Sequence, residues 1–263
     1  MKRTLVIVAI LGALVVGADF AFAAVAEHRI SQQARAQLEL DDDPAVEIHG
    51  FPFTTQALSG SYHRISISAA GVPVSDILRD LELEAELRDI EAPLSDVLDG
   101  NTDAITIGEL EGTVKVSQAD LGRAIKFPTL RITDATEEYV HSGDDADDVT
   151  NGDEEPEYGS TAGIRLEATT DLAGEEDVEI VVYGVIELAG DQVRVEPKRV
   201  ELDRGGGTTV IPEAVRENLL PQFATTIDPG TLPFGVIPSG VAVERGALIV
   251  QGEATDVRFA DGV

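Results

Sequence analysis

The chain has 263 residues and a formal net charge of −30, from 19 Lys and Arg against 49 Asp and Glu. This length suits one large domain or two small ones, with enough chain to bury a core. The charge argues strongly against nucleic acid as a partner, because phosphate binding is driven by Lys and Arg. The chain has no cysteine, which excludes disulfides, thiolate metal sites and a cysteine nucleophile.

The N-terminal segment, residues 1–26, has the pattern of a targeting sequence. Two basic residues at positions 2 and 3 precede an apolar run from Leu5 to Ala18, which Asp19 interrupts and residues 20–26 resume. The segment fits a secretory signal with a small-residue cleavage site at 21–23. It fits equally an uncleaved membrane anchor, which needs about 20 apolar residues. Both alternatives place the rest of the chain outside the cytoplasm, since positive charge stays inside.

Residues 27–263 are predicted to form a single domain made mostly of strands. A helix is expected from Glu27 to Leu40, where Asp and Pro residues end it, and another from Pro212 to Phe223. Between them apolar and polar residues alternate with period two, most clearly from Leu81 to Arg88. Such alternation predicts antiparallel strands with one dry and one wet face. The same pattern recurs at 65–68, 105–107, 114–116, 130–132, 164–166, 178–180 and 193–196.

An acidic segment at 134–160 interrupts this pattern. It contains 11 acidic residues and no Lys or Arg, which predicts a disordered insertion between two strands. Its Asp-rich centre does not fit a calcium loop. If a 12-residue calcium loop began at Asp147, a valine would stand at loop position 3 and a tyrosine at loop position 12, where ligands are needed. We therefore expect no metal site here.

The aliphatic face of these strands is too broad for two helices to cover. A sheet can cover itself by folding into a sandwich or a barrel. Otherwise it curls around the helices and leaves a groove lined by Ile, Leu and Val, which would suit an acyl chain. Composition and patterning favour the first alternative modestly.

No catalytic motif stands out. Zinc-protease, P-loop and nucleophile-elbow signatures are lacking, and no two of the four histidines have helical ligand spacing. The many paired carboxylates carry little information in so acidic a chain. We expect no enzymatic activity, no catalytic residue, no cofactor and no metal, although nothing excludes a cryptic Ser, His and Asp triad.

Two elements combine aromatic residues with proline. They are Gly50-Phe51-Pro52-Phe53 and Leu232-Pro233-Phe234-Gly235. Such corners commonly pack into a core. They would also suit apolar lips at the mouth of a groove, or loops that enter a bilayer.

These elements belong to a longer series of motifs. Gly50-Phe51-Pro52-Phe53 is followed by Gly60-x-Tyr62 and by residues 87–94, and later by Gly112-Thr113-Val114, Leu232-Pro233-Phe234-Gly235 and the glycine-bounded segment 246–252. In order and spacing this series resembles the LmeA-like phospholipid-binding family of actinobacterial envelope proteins. The resemblance covers nearly the whole chain after the targeting segment, except for the acidic insertion.

The resemblance implies an α+β fold of the tubular lipid-binding kind, in which a strongly curved antiparallel sheet wraps around a long helix. It implies an extracytoplasmic, envelope-associated protein, membrane-anchored or secreted, that binds phospholipid or a membrane surface. Beyond binding, the protein could also transfer lipid between membranes or envelope layers. A non-enzymatic envelope scaffold with a solid β core is the alternative.

Thirteen apolar residues are expected to line the groove or its mouth, and four cations are candidates for contacting a headgroup. The apolar set is Phe51, Phe53, Leu58, Ile65, Ile67, Leu81, Leu83, Leu87, Ile105, Ile107, Phe223, Leu232 and Phe234. The cations are Arg64, Lys198, Arg199 and Arg204. The net charge of −30 would repel an anionic headgroup at low salt, although at physiological salt screening confines this repulsion to about 8 Å.

Overall fold

A computed structural model gives the architecture of the chain. It describes residues 2–38, 40–73, 78, 80–93, 95–96, 104–135, 158–172, 175–190, 192–203, 208–209, 213–227 and 236–258. The fold is α+β, with a long N-terminal helix and two antiparallel sheets. This confirms the predicted mixture and the predicted direction of the strands.

Helix α1, Lys2–Leu38, is continuous across the predicted boundary at residue 26. The targeting segment and the helix expected after it are therefore one element. After α1 the chain reverses, and Leu40 is buried in the main core. The C-terminal half of α1 runs along strand β1. The structure therefore does not confirm the strongly curved sheet wrapped around a long helix that the resemblance implies.

The first sheet contains six antiparallel strands in the order β1-β2-β3-β4-β12-β11. The long central strands explain the clean alternation in the sequence, because each has one apolar and one polar face. Their bounds are Ala45–His49 for β1, Ser61–Val72 for β2, Leu81–Glu91 for β3, Thr106–Ser117 for β4, Ile237–Glu244 for β11 and Ala247–Arg258 for β12.

The second sheet has the order β10-β8-β7-β6-β5, with β9 paired to β8. An isolated bridge between Gly159 and Val241 connects the start of β6 to the outer edge of β11, so the two sheets meet at this edge. The strands are Arg131–Asp134 for β5, Thr161–Leu172 for β6, Glu175–Ala189 for β7, Gln192–Asp203 for β8, Thr208–Thr209 for β9 and Thr225–Ile227 for β10.

Three shorter helices complete the fold: α2 is Phe53–Ser59, α3 is Gln118–Ile125 and α4 is Glu213–Phe223. Ser117 begins α3 by accepting a hydrogen bond from the amide of Asp120. Helix α4 packs on β8, and the ring of Phe223 stacks on Phe127 at 4.4 Å in the main core. The predicted second helix is thereby confirmed, and it contributes to the core.

The main core, cluster 1, fills the space between the inner face of the second sheet and one end of the first. A smaller group, cluster 2, lies at the other end of the first sheet, around Ile90, Ile107 and Val257. Most of the acidic insertion, residues 136–157, lies outside the described residues. The division between the two clusters determines where a ligand could sit.

Candidate functional site

A row of small side chains crosses the apolar face of the first sheet. The register places Ile67 of β2 beside Ala85 of β3, then Gly112 of β4, then Gly252 of β12. Partners in antiparallel register share a face of the sheet. At this position along the sheet, the neighbouring strands β3, β4 and β12 therefore contribute only a methyl group or no side chain. We call Ala85, Gly112 and Gly252 the small-residue row.

Large aliphatic residues flank the row on both sides. Leu83 and Leu87 flank Ala85, and Val114 and Leu110 flank Gly112, each two residues away along its strand. Because side chains two apart point to the same face, each strand presents a large, a small and a large residue in turn. The sheet thus has a strip of low side-chain volume between two aliphatic bands.

The strip lies where the two apolar clusters do not meet. Leu83 and Val114 pack against cluster 1, while Leu87 and Leu110 belong with cluster 2. Ile67, beside the row on β2, is half-buried, as are Ala85 and Gly112 within the row. An apolar ligand placed here would contact both bands without displacing a core side chain.

The two glycines of the row differ in their surroundings. A Cβ at Gly112 would meet its nearest atoms at 3.9 Å, an ordinary contact. A Cβ at Gly252 would lie 2.6 Å from Cγ1 of Val236, which already fills that position. The open part of the strip therefore extends over β2, β3 and β4 and ends at Val236.

The alternation of side chains reverses at one end of this face. Asp89 of β3 and Asp256 of β12 have positive φ values of 51° and 53°, and they flank Gly108 of β4. A left-handed residue reorients the side chains that follow it. As a result Leu87 and Ile90, three residues apart, both pack with cluster 2.

The opposite face of the first sheet is acidic. An open trough of about 410 Å³ is lined there by carboxylates and hydroxyls, with Ile67 and Ala85 at its floor. Its polar lining consists of Glu47, Ser66, Ser68, Glu84, Glu86, Glu111 and Thr113. Carboxylates repel phosphate, so this trough is unsuited to a phospholipid headgroup.

Cations are engaged on this acidic face. A hydrogen bond to Glu86, 2.7 Å from Nε of Arg88, raises the pKa of the Arg88 guanidinium. A hydrogen bond to Glu244 likewise raises the pKa of the Lys115 ammonium. Burial, followed by nearby carboxylates, raises the pKa of the Tyr158 hydroxyl. These ion pairs hold the strands together and leave the face acidic.

The junction of α1 and α2 forms the second notable feature. The carboxylate of Asp19 accepts hydrogen bonds from the amides of Phe53 and Thr54, both at 2.8 Å, and from the Thr54 hydroxyl at 2.7 Å. The rings of Phe20 and Phe51 stack with centroids 5.9 Å apart. Several large apolar side chains are exposed at this junction.

The motif glycine Gly60 positions α2 against the sheet. It ends α2 with a φ of 73°, and a Cβ there would come within 2.8 Å of the Pro93 backbone. Its carbonyl accepts a hydrogen bond from the Ala92 amide at 2.7 Å. Next to it, Tyr62 packs on cluster 2 and contacts the Phe53 ring at 6.4 Å. The first and second motifs therefore meet at the cluster 2 end of the sheet.

The residues predicted to line a groove fall into distinct environments. Ile65, Ile67, Leu83 and Leu87 share the apolar face beside the small-residue row, and all four are half-buried. Ile105 is half-buried beside cluster 2. Their contact with lipid stays a prediction, but the structure does bring them together.

The remaining predicted residues are not part of this strip. Phe53, Leu81, Ile107 and Phe223 are buried side chains, and a ligand would reach them only by replacing core contacts. Phe51 and Leu58 are exposed at the junction of α1 and α2. Leu232 and Phe234 lie outside the described residues.

The candidate headgroup cations are not assembled into one site. Arg64 lies on β2 and is 3.9 Å from Glu86. Lys198 and Arg199 lie on β8 of the other sheet, 2.8 Å from Glu196 and 3.2 Å from Glu201 respectively. The hydrogen bond from Lys198 lowers the pKa of Glu196. Arg204 falls outside the part of the chain that is described.

Sequence reasoning missed Ala85, Gly112 and Val114 as parts of the site. The signal was present in three segments with a small residue between two larger ones, Leu83-Glu-Ala85-Glu-Leu87, Leu110-Glu-Gly112-Thr-Val114 and Val250-Gln-Gly252-Glu-Ala254. What the sequence alone does not supply is the register that aligns their centres. Two of these small residues are glycines of the motifs identified in the sequence.

The described part of the site is aliphatic in character. No group of three or more His, Asp or Glu side chains among them could hold a metal ion. The strip itself presents only aliphatic groups. It can exclude water from a hydrocarbon chain, each buried CH₂ contributing roughly 0.8 kcal/mol.

Comparison with models of known protein families identifies a match. The model of a family described as LmeA-like phospholipid-binding matches residues 17–253. No curated protein matches the chain.

Proposed function

The chain belongs to the LmeA-like phospholipid-binding family, and from this premise we propose that it binds an acyl chain of a phospholipid on the small-residue row. The observation that carries this proposal is the register of Ala85 beside Gly112, with aliphatic bands on both sides. The strip is apolar, half-exposed and free of charge. These are the properties that a hydrocarbon ligand requires.

The location and the class of activity are part of the same proposal. Lys2 and Arg3 precede the apolar half of α1, which supports a domain on the outer side of the membrane. Non-enzymatic binding is supported by the aliphatic character of the strip. We further propose that the protein transfers the lipid to another membrane or envelope layer. We also propose that the two sheets form a tubular arrangement, joined through the Gly159–Val241 bridge.

The headgroup is expected to project beyond the strip. The opposite face of the sheet is rich in carboxylates, so a zwitterionic headgroup meets less repulsion than an anionic one. Arg64 is the candidate cation nearest to the strip along β2, since Ile65 follows it directly. Lys198, Arg199 and Arg204 stay candidates on the other sheet.

The variant Gly112→Leu tests the site directly. It adds an isobutyl group to the open part of the strip, where the first added carbon meets only ordinary contacts. Displacing two CH₂ groups of the ligand would remove about 1.6 kcal/mol, or roughly tenfold in affinity. The full chain is purified from bacterial membranes, and retained phospholipid is measured by native mass spectrometry.

Ser68→Leu is the matched control, because it places the same isobutyl side chain on the acidic face of the same sheet. We expect it to retain phospholipid as the parent chain does, and both variants to keep their circular dichroism spectra. Equal retention by Gly112→Leu and the parent chain would move the site elsewhere. A parent chain without phospholipid, and without uptake from vesicles, would contradict the proposed function itself.

A further inference from the structure

We propose that α1 is retained as a membrane anchor and that its junction with α2 docks into the outer leaflet, at the cluster 2 end of the first sheet. The docking surface consists of Phe20, Phe51 and Leu58. Its occupant is a lipid leaflet. Only the route of a lipid from this docked end to the small-residue row rests on the proposed function.

Asp19 makes the apolar half of α1 part of the folded domain. The residue before α2 is Pro52, which has no capping side chain. Asp19 supplies the missing acceptor from another helix, with three hydrogen bonds to Phe53 and Thr54. Cleavage after position 23 would remove this acceptor and leave the first amides of α2 unsatisfied.

Further contacts hold the C-terminal half of α1 along β1. The Glu27 carboxylate accepts a hydrogen bond from the amide of Ile48 at 2.9 Å, on the free edge of the sheet. The Ser31 hydroxyl donates to the carbonyl of Pro44 at 2.6 Å. The family match also begins at residue 17, before the possible cleavage site. Helix α1 is therefore part of the folded domain, which a cleaved signal segment would not be.

The junction exposes more apolar surface than a free domain would present to water. Phe51 is 59% exposed and Leu58 is 80% exposed, although they are large apolar side chains. Phe20 of α1, whose ring stacks on Phe51, is exposed as well. Contiguous exposed patches of this kind mark interaction sites.

Continuity with α1 identifies the partner as a bilayer. From Thr4 to Ala26 the only charged residue is Asp19, and its carboxylate is satisfied by α2. These 23 residues span about 34 Å as a helix, enough for a hydrocarbon core of about 30 Å. With the apolar segment across the membrane, α2 and Phe51 lie at the level of the outer leaflet.

The docked end adjoins the candidate site. Helix α2 leads directly into β2, and Phe53 contacts Tyr62, which packs on cluster 2. Cluster 2 in turn borders the small-residue row through Leu87 and Leu110. A lipid leaving the outer leaflet at the junction would therefore meet the aliphatic band first.

Depth-dependent quenching tests the docking. The natural chain lacks cysteine, so Phe51→Cys, Leu58→Cys and Ser68→Cys each carry one fluorescent label. The labelled full chains are reconstituted in phosphatidylcholine vesicles with and without brominated phosphatidylcholine. We expect several-fold stronger quenching at positions 51 and 58 than at 68. Equal quenching at the three positions would overturn the docking.

The intact mass of the chain purified from membranes tests retention. We expect a mass that includes residues 1–26, and a mass beginning near residue 24 would overturn the anchor. These outcomes do not depend on the Gly112→Leu experiment. Quenching at 51 and 58 with no phospholipid retained would leave the docking in place and contradict only the proposed function.

Discussion

Asp19 interrupts the apolar run of the N-terminal segment, yet its side chain is only 5% exposed in the folded chain. In the sequence it is a charge within an apolar run, which a membrane helix tolerates better near the interface than at the bilayer centre. In the structure it caps another helix. The same residue that made the segment ambiguous as an anchor is the one that joins it to the domain.

Replacing Asp19 by Ala should destabilise the domain by about 1–2 kcal/mol, the usual contribution of a helix cap. The loss arises because Pro52 offers no substitute acceptor. Thermal unfolding of the full chain in detergent, followed by circular dichroism, measures it. Gly17→Ala is the control in the same helix, since a Cβ there meets nothing within 4 Å. An Asp19→Ala chain as stable as the control would contradict the capping role.

Phe51 and Phe53 form a natural pair for a second test. Phe51→Asp should leave stability nearly unchanged because the ring is exposed, while weakening the quenching of a label at position 58 by brominated lipid, since a charged residue would lift the junction out of the leaflet. Phe53→Asp should lower the free energy of unfolding by at least about 3 kcal/mol, since the ring is buried. Urea unfolding and quenching by brominated phosphatidylcholine distinguish these effects. Comparable destabilisation by both changes would show that Phe51 belongs to the core.

At the scale of elements, the alternation of apolar and polar residues predicted the strands well, whereas the sequence did not predict that α1 is one continuous helix. Each alternating segment lies in a strand or overlaps one to within a residue, because the apolar face of a strand is a local property of the sequence. Helix α1 was predicted in two parts, since the satisfaction of Asp19 by α2 is a long-range contact. The reversals at Asp89 and Asp256 were also unpredictable, because a positive φ outside glycine leaves no clear sequence signal.

The acidic face of the first sheet should make stability sensitive to alkaline pH. The pKa of Lys115 is raised above its ordinary 10.5 by Glu244, so the folded chain holds this proton more tightly than the unfolded chain. Its contribution is complete below that pH and is lost as pH rises through the folded pKa. Burial raises the pKa values of Tyr62 and Tyr158 in the same direction.

We therefore expect the free energy of unfolding to fall above about pH 10. Lys115→Met should flatten this dependence, as measured by urea unfolding from neutral to alkaline pH. Lys126→Met, at the exposed end of α3, is the matched control. Identical pH profiles for the two variants would show that the Lys115 ion pairs contribute nothing to stability.

For the whole molecule, the charge of −30 acts at longer range than any single ion pair. The docking end is apolar, while the acidic face lies on the strands behind it. Contact with a neutral leaflet is thus driven by the hydrophobic junction, and an anionic leaflet adds repulsion. Part of this charge, the acidic segment 136–157, falls outside the described residues.

Insertion of the detergent-solubilised full chain into preformed vesicles should depend on salt. At low ionic strength we expect slower insertion into phosphatidylglycerol vesicles than into phosphatidylcholine vesicles. The difference should shrink at physiological salt, because the Debye length falls from about 30 Å to about 8 Å. Flotation measures the inserted fraction with time. Faster insertion into anionic vesicles at low salt would mean that local cations dominate.

The candidate site was partly accessible from the sequence. Ile65, Ile67, Leu83 and Leu87 were assigned to the apolar face by their alternation, and they border the strip. The strip itself is defined by what is lacking, a side chain at Gly112 and most of one at Ala85. That property emerges only when the strands are aligned, since register depends on pairing between distant segments.

An unbroken α1 has a consequence for how tightly the site needs to bind. Between the apolar segment and the domain the helix continues from Lys2 to Leu38, so a retained anchor leaves no flexible tether. The strip then samples lipids of its own leaflet at a fixed, high effective concentration. Weak intrinsic affinity would suffice for occupancy in the membrane, and the same lipid would leave readily once an acceptor came within reach.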